Sequence, residues 1–195
     1  MDQKSKLFLF FFFSLSIHVV QGQTYDFAAY HKLESQTMWT LSSWASANIV
    51  LGTTAYALSQ KSQDRYFHEM NVFWNTVNLG LGIAALAGQK KKRKEYLSFE
   101  EAMQRQKKIE NIFLINTGLD VIYMGVGITM KVWGQDAQKD RWQGYGDALL
   151  LQGGFLFVFD GISYFLHRYQ RLSQKKQSLN LGLGQSGIGF IYHLH

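Results

Sequence analysis

Four long stretches of this chain carry almost no charge. Residues 35–60 and 70–89 have none, residues 111–130 have only Asp120, and residues 148–167 have only one acid, Asp160. Each is long enough as a helix to cross a hydrocarbon layer of about 30 Å. A soluble amphipathic helix of this length needs one charged face, and these four have none. Trp39, Trp133, Trp142 and Tyr145 fall near the ends of the stretches, where amphipathic aromatics favour a membrane interface. The pattern predicts an all-α protein, a four-helix transmembrane bundle with spans at about 36–59, 69–88, 111–132 and 147–168.

The flanks differ from the spans. Lys4 and Lys6 precede an apolar run at 7–20. That is short for a span and matches a signal peptide over 1–22, with an uncleaved anchor as the alternative. The four-helix domain then occupies 23–176. Ser98 with Glu101 has capping-box spacing, and no proline or other breaker follows before Trp133. Ser62 or Asp64 would cap the second helix and Gly88 would end it. In the tail, 177–195, apolar residues alternate with glycine and polar ones. It reads as an irregular segment or a small hairpin around Gln185, Ser186 and Gly187.

Polar residues inside the spans recur at helical spacing. The second helix carries His68, Asn71, Asn75 and Asn78, continued by Gly82. The third carries Asn116, Asp120, Tyr123 and Gly127, and the fourth Gln152, Asp160, Ser163, Tyr164 and His167. The first offers Asn48, Gly52 and Tyr56. Steps of three and four share one helix face, and lipid cannot satisfy such groups, so the stripes should face one another.

Side A denotes the end where the first helix starts, and side B the other. In an up-down-up-down bundle, Asp160, Asp120, Asn78 and Asn48 lie roughly 10, 14, 15 and 18 Å from side A at 1.5 Å per residue. The expectation is one polar layer of Asp120, Asp160, Asn78 and Asn48, flanked by Asn75, Asn116 and Tyr123. Interhelical hydrogen bonds of this kind fix which helix faces which. Intramembrane acids are also functional candidates, so Asp120 and Asp160 form a candidate site for a proton, a cation or a polar ligand.

Composition narrows the chemistry. The 195 residues include 18 glycines, no proline and no cysteine, which removes disulfides, thiolate metal sites and cysteine nucleophiles. The net charge of +6 owes most to Lys90, Lys91, Lys92, Arg93 and Lys94. A basic cluster beside a helix end suits anionic lipid head groups better than nucleic acid, and no nucleic-acid partner is expected. No base–nucleophile pair can be named, and the Glu-x-x-His spacing of di-iron bundles is absent. His68 and His167 fall at opposite ends, so they cannot share one haem iron. Gly80-x-Gly82 and Gly125-x-Gly127 follow no strand and read as helix-packing positions, not phosphate loops. Neither an enzyme nor a cofactor is expected.

Orientation is contradictory on sequence. With a cleaved signal peptide, thirteen basic residues fall in the short outer loops and only Lys61, Arg65, Lys131, Lys139 and Arg141 in the inner ones. The positive-inside rule requires the reverse.

Three blocks of residues resemble a family of bacterial four-helix membrane proteins of unknown function. They are Phe67-His68-Glu69-Met70-Asn71 with Trp74, Asn75, Val77 and Asn78; Asn116 with Gly118-Leu119-Asp120 and Tyr123; and Gln152-Gly153-Gly154-Phe155 with Asp160. The similarity covers about 39–167 and implies a four-span architecture, a multi-pass protein of the bacterial inner membrane, with no activity or ligand attached. The expected role is structural or interactive, with a carrier or sensor using the acid pair as the alternative. Four helices leave no room for a pore, so transport would require a homo-oligomer.

Overall fold

The computed structural model of the chain describes residues 25–92 and 97–184. Among them are four helices: α1 (Phe27–Leu58), α2 (Ser62–Lys92), α3 (Phe99–Asp136) and α4 (Asp140–Gly184). The apolar run at 7–20 and the Gln185–Gly187 turn lie outside the described residues. So does the basic cluster at 90–94, apart from the helix backbone up to Lys92.

Connections of three residues join α1 to α2 and α3 to α4, which forces each pair into an antiparallel hairpin. The two hairpins then pack through α2 and α4, which run parallel. The order around the bundle is therefore α1–α2–α4–α3. Along the α1–α3 seam the backbones stay apart. Large side chains bridge it: Tyr25 and Tyr30 against Ala102 and Met103, and Leu41 with Phe113 beside Leu156 and Phe159.

Local chemistry explains the helix ends. Ser98 Oγ accepts from Glu101 N at 3.3 Å and Glu101 Oε2 accepts from Ser98 N at 2.8 Å, the expected capping box at the start of α3. Asp26 caps α1 by accepting from Ala29 N at 2.8 Å. Ser62 opens α2 from inside its first turn, and its hydroxyl bonds to Asp140 across the bundle. Gly88 does not end α2, which continues to Lys92. Likewise α4 stays helical to Gly184, into a stretch whose alternation suggested a strand. Glycine lowers helix propensity by only about 1 kcal/mol, and no proline is present to stop the chain.

Glycines set how closely α4 approaches α3, its hairpin partner, and α2 of the other hairpin near side B. A Cβ at Gly127 would lie 2.9 Å from Gly146 O, and one at Gly134 would lie 2.7 Å from Gln143 N. A Cβ at Gly144 would run into Gln63 O and lie 2.7 Å from Phe67 N.

The interior and exterior have exchanged their usual chemistry. Asn71, Asn75, Asn78, Gln106, Glu110, Asp120, Gln152, Asp160 and His167 are buried, whereas Leu51, Phe73, Leu81, Ile115, Ile122, Ile128, Val158 and Phe165 are exposed.

Candidate functional site

Toward side B of the middle sits an amide cluster. Asn71 of α2 is its hub: its Nδ2 donates to Asn48 Oδ1 of α1 at 3.1 Å, and its Oδ1 accepts from Gln152 Nε2 of α4. Trp44 Nε1 donates to Gln152 Oε1 at 3.2 Å, while the Trp44 indole stacks on Phe155 at 3.9 Å. Asn75, fully buried, donates from Nδ2 to the Asn71 carbonyl at 2.8 Å. Three helices are tied by side-chain amides alone.

The acids form a second level. Asp120 of α3 and Asp160 of α4 are 2% and 5% exposed, and their carboxyl groups lie within hydrogen-bonding reach of each other. Two bare carboxylates have no donor between them, so a bond in this pair needs a shared proton. Asp120 Oδ2 meets no N–H or O–H donor. Because α2 and α4 are parallel and Asn71 bonds to Gln152, Asn78 falls within one residue of the level of Asp160. Asn78 is buried, and its Nδ2 is unpartnered.

The single layer expected from depth therefore resolves into two. Asn48 bonds to Asn71, which in turn bonds to Gln152, and not to the acids. Gln152 and Asp160 are eight residues apart, about 12 Å along the axis. Loop lengths shift the helices axially by more than the separation the depth estimate was meant to resolve. Of the flanking candidates, Asn75 joins the amide cluster. Tyr123 is half-buried and meets the Trp74 ring edge-on at 5.0 Å. Asn116 is half-buried and belongs to neither level. Tyr56, read as part of the α1 stripe, is at the surface with the Arg65 guanidinium 4.9 Å from its ring centre.

A third polar group near side A is not visible in the stripes. Arg171 of α4 grips Glu110 of α3 through Nε and a terminal nitrogen at 2.6 and 2.9 Å, with Glu110 only 2% exposed. Gln106, fully buried, accepts from the Tyr25 hydroxyl at 2.6 Å and donates to His167 O at 3.0 Å and Gln170 Oε1 at 2.9 Å. Burial, and then the neighbouring Tyr30, Asp26 and Glu110, push the Tyr25 phenol well above its ordinary range, so it remains a donor. His167 is fully buried and stacks on Phe113 at 5.4 Å. The only sequence signal is the step of four from Gln106 to Glu110, on either side of the exposed Lys107 and Lys108.

At side B, Asp147 accepts from Lys131 at 2.7 Å and from Gln63 at 3.1 Å, joining α2, α3 and α4. His68 and His167 are at opposite ends, as the topology required. Among the described residues, no group of three or more His, Cys, Asp and Glu is placed to hold a metal ion.

No curated protein and no solved structure matches this chain. A match over residues 40–161 covers α1 from its middle, all of α2 and α3, and α4 through Gly161. It takes in both the amide cluster and the acid pair, and on it the chain belongs to DUF6992, a family of unknown function.

Proposed function

We propose that this chain is an integral membrane protein whose role is structural or interactive, with its buried polar network fixing how four spans assemble. One observation carries the reading: large aliphatic and aromatic side chains cover the outside of the bundle while amides and acids fill its interior. In water that arrangement would expose an apolar surface far larger than soluble monomers show. In lipid it satisfies polar groups internally, as the bilayer requires. By length and composition, α3 and α4 are apolar enough to cross a membrane. In α1 and α2 the polar residues on the inward face dilute the apolar ones. The basic residues 90–94 would meet anionic head groups, and a bacterial inner membrane and a homo-oligomer are part of the proposal.

Fractionation of expressing cells tests it. The chain is expected in a carbonate-resistant membrane pellet, released only by detergent. Recovery as a monodisperse soluble protein without detergent would overturn the reading.

The acid pair favours a second reading, a small carrier or sensor for a proton, cation or polar ligand. Its support is the burial of two facing carboxyls, one with an oxygen that no donor reaches. If Asp120→Asn and Asp160→Asn both complement a deletion strain as well as the parent does, this second reading fails.

A further inference from the structure

The outward face of α1 differs from those of α3 and α4. Large side chains such as Ile115, Ile122, Phe157 and Phe165 cover the outside of α3 and α4. Between Trp39 and Val50 the residues that α1 exposes are Thr40, Ser43, Ser46 and Ala47. Steps of three and four put them on one side of the helix. Ser43 and Ser46 lie roughly 10 and 15 Å inside Gln36, where the first span begins, and so at hydrocarbon depth. Thr40 turns its hydroxyl back onto Gln36 O at 3.0 Å.

These serines line a groove. It holds about 660 Å³ between α1 and α2, with Trp39, Ser42, Ser43 and Ser46 on one wall and Leu79 and Ile83 on the other. The two helices cross closely beside it, where a Cβ on Gly82 would collide with the Ser42 hydroxyl. Ser42 is 5% exposed, and its Oγ has no partner among the described residues. The α2 wall is low: Gly80, Ala84 and Ala87 are exposed, and a Cβ at Gly80 meets nothing within 4 Å. An acyl chain offers no donor or acceptor to hydroxyls at this depth. A hydroxyl both donates and accepts, so a serine face is complementary to a copy of itself. Small residues let backbones approach, and serine hydroxyls then bond from helix to helix. Trp39, 62% exposed at the side-A end of the groove, adds an aromatic of the kind enriched where protein surfaces meet.

We propose that a second copy of this chain docks on this face, with α1 of each copy seated along the α1–α2 groove of the other. Copies inserted in one membrane share an orientation. The contact is therefore parallel and isologous, about a twofold axis along the membrane normal. Ser43 and Ser46 lie nearest that axis, where the hydroxyls of one copy meet those of the other. The aliphatic surfaces of α3 and α4 remain for lipid. This interface rests on the membrane reading above and gives its homo-oligomer a contact surface.

The absence of cysteine makes the test direct, because each introduced thiol is the only one in its chain. Ser43→Cys, Ser46→Cys and Ala47→Cys probe the face. Ile122→Cys on α3 and Phe165→Cys on α4, at positions 59% and 68% exposed, are the controls. Membranes from cells expressing each full-length variant would be oxidised with copper phenanthroline and resolved without reducing agent. A disulfide needs Cα atoms within about 7 Å, so at least one α1 variant is expected to give about fivefold or more dimer than either control. Its product should have twice the mass of the chain. Yields no higher than the controls overturn the interface and leave the groove to lipid. A cross-linked product of any other mass overturns it in favour of a foreign protein. Circular dichroism melts in mild detergent would identify the variants that keep the parent fold, and any one folded α1 variant is enough to decide. Failure of the membrane reading would show separately, as protein in the soluble fraction before any oxidation.

Discussion

Arg171 holds Glu110 by two parallel bonds at the side-A end of the α3–α4 seam, with the carboxylate 2% exposed and the guanidinium side chain 15% exposed. The Glu110 hydrogen bonds hold the Arg171 guanidinium even higher than its ordinary range. Removing one partner of such a pair leaves a buried charge alone. Glu110→Ala is expected to destabilise the bundle by about 3 kcal/mol, read from thermal denaturation in detergent. Combining it with Arg171→Leu should recover part of the loss, and a double variant worse than Glu110→Ala alone would contradict the pairing.

Glycines separate into two groups by what surrounds them. Gly144→Ala forces a methyl group against Gln63 and Phe67 of α2, and should cost about 1–3 kcal/mol by overpacking. A Cβ at Gly118 meets nothing within 4 Å. Gly118→Ala should therefore stabilise α3 by roughly 0.5–1 kcal/mol through helix propensity alone. Melting temperatures moving in the same direction for both variants would refute the packing described for side B.

The amide hub can be measured pairwise. A double-mutant cycle on Asn48→Ala and Asn71→Ala isolates their 3.1 Å bond, with an expected coupling of about 0.6 kcal/mol, the average for interhelical bonds in a bilayer. Asn71→Ala alone should cost more than Asn48→Ala, since it also strands Gln152. Near-zero coupling would mean the two amides do not bond.

The α3 cap gives a pH dependence. Bonds from the Ser98 backbone N–H, then from its hydroxyl, hold the Glu101 carboxyl below its ordinary range. A depressed acid stabilises the fold above its unfolded value near 4.3 and loses that contribution as pH falls through the folded value. Amide exchange at the start of α3 should accelerate in acid, at pH below about 4. Ser98→Ala should abolish this acid response and cost about 1 kcal/mol at neutral pH.

Sequence alone was enough to place four helices, the capping box at Ser98, and the faces that turn inward on α2 and α4. Those follow from period: Asn71, Asn75 and Asn78, or Asp160, Ser163 and His167, can share a side only on a helix, and charge-free stretches of such length leave few alternatives. Tertiary structure decided which helices are neighbours. Two tight hairpins docking through α2 and α4 put Gln152 on Asn71, while axial offset separated Asn48 from the acids. It also decided that Glu110 and Gln106, which flank the exposed Lys107 and Lys108, turn inward to meet Arg171 and Tyr25. Local pattern records which face of a helix is polar; which partner that face meets, and at what level, depends on backbone approach distances that glycines 127, 134, 144 and 146 set only once the helices are packed.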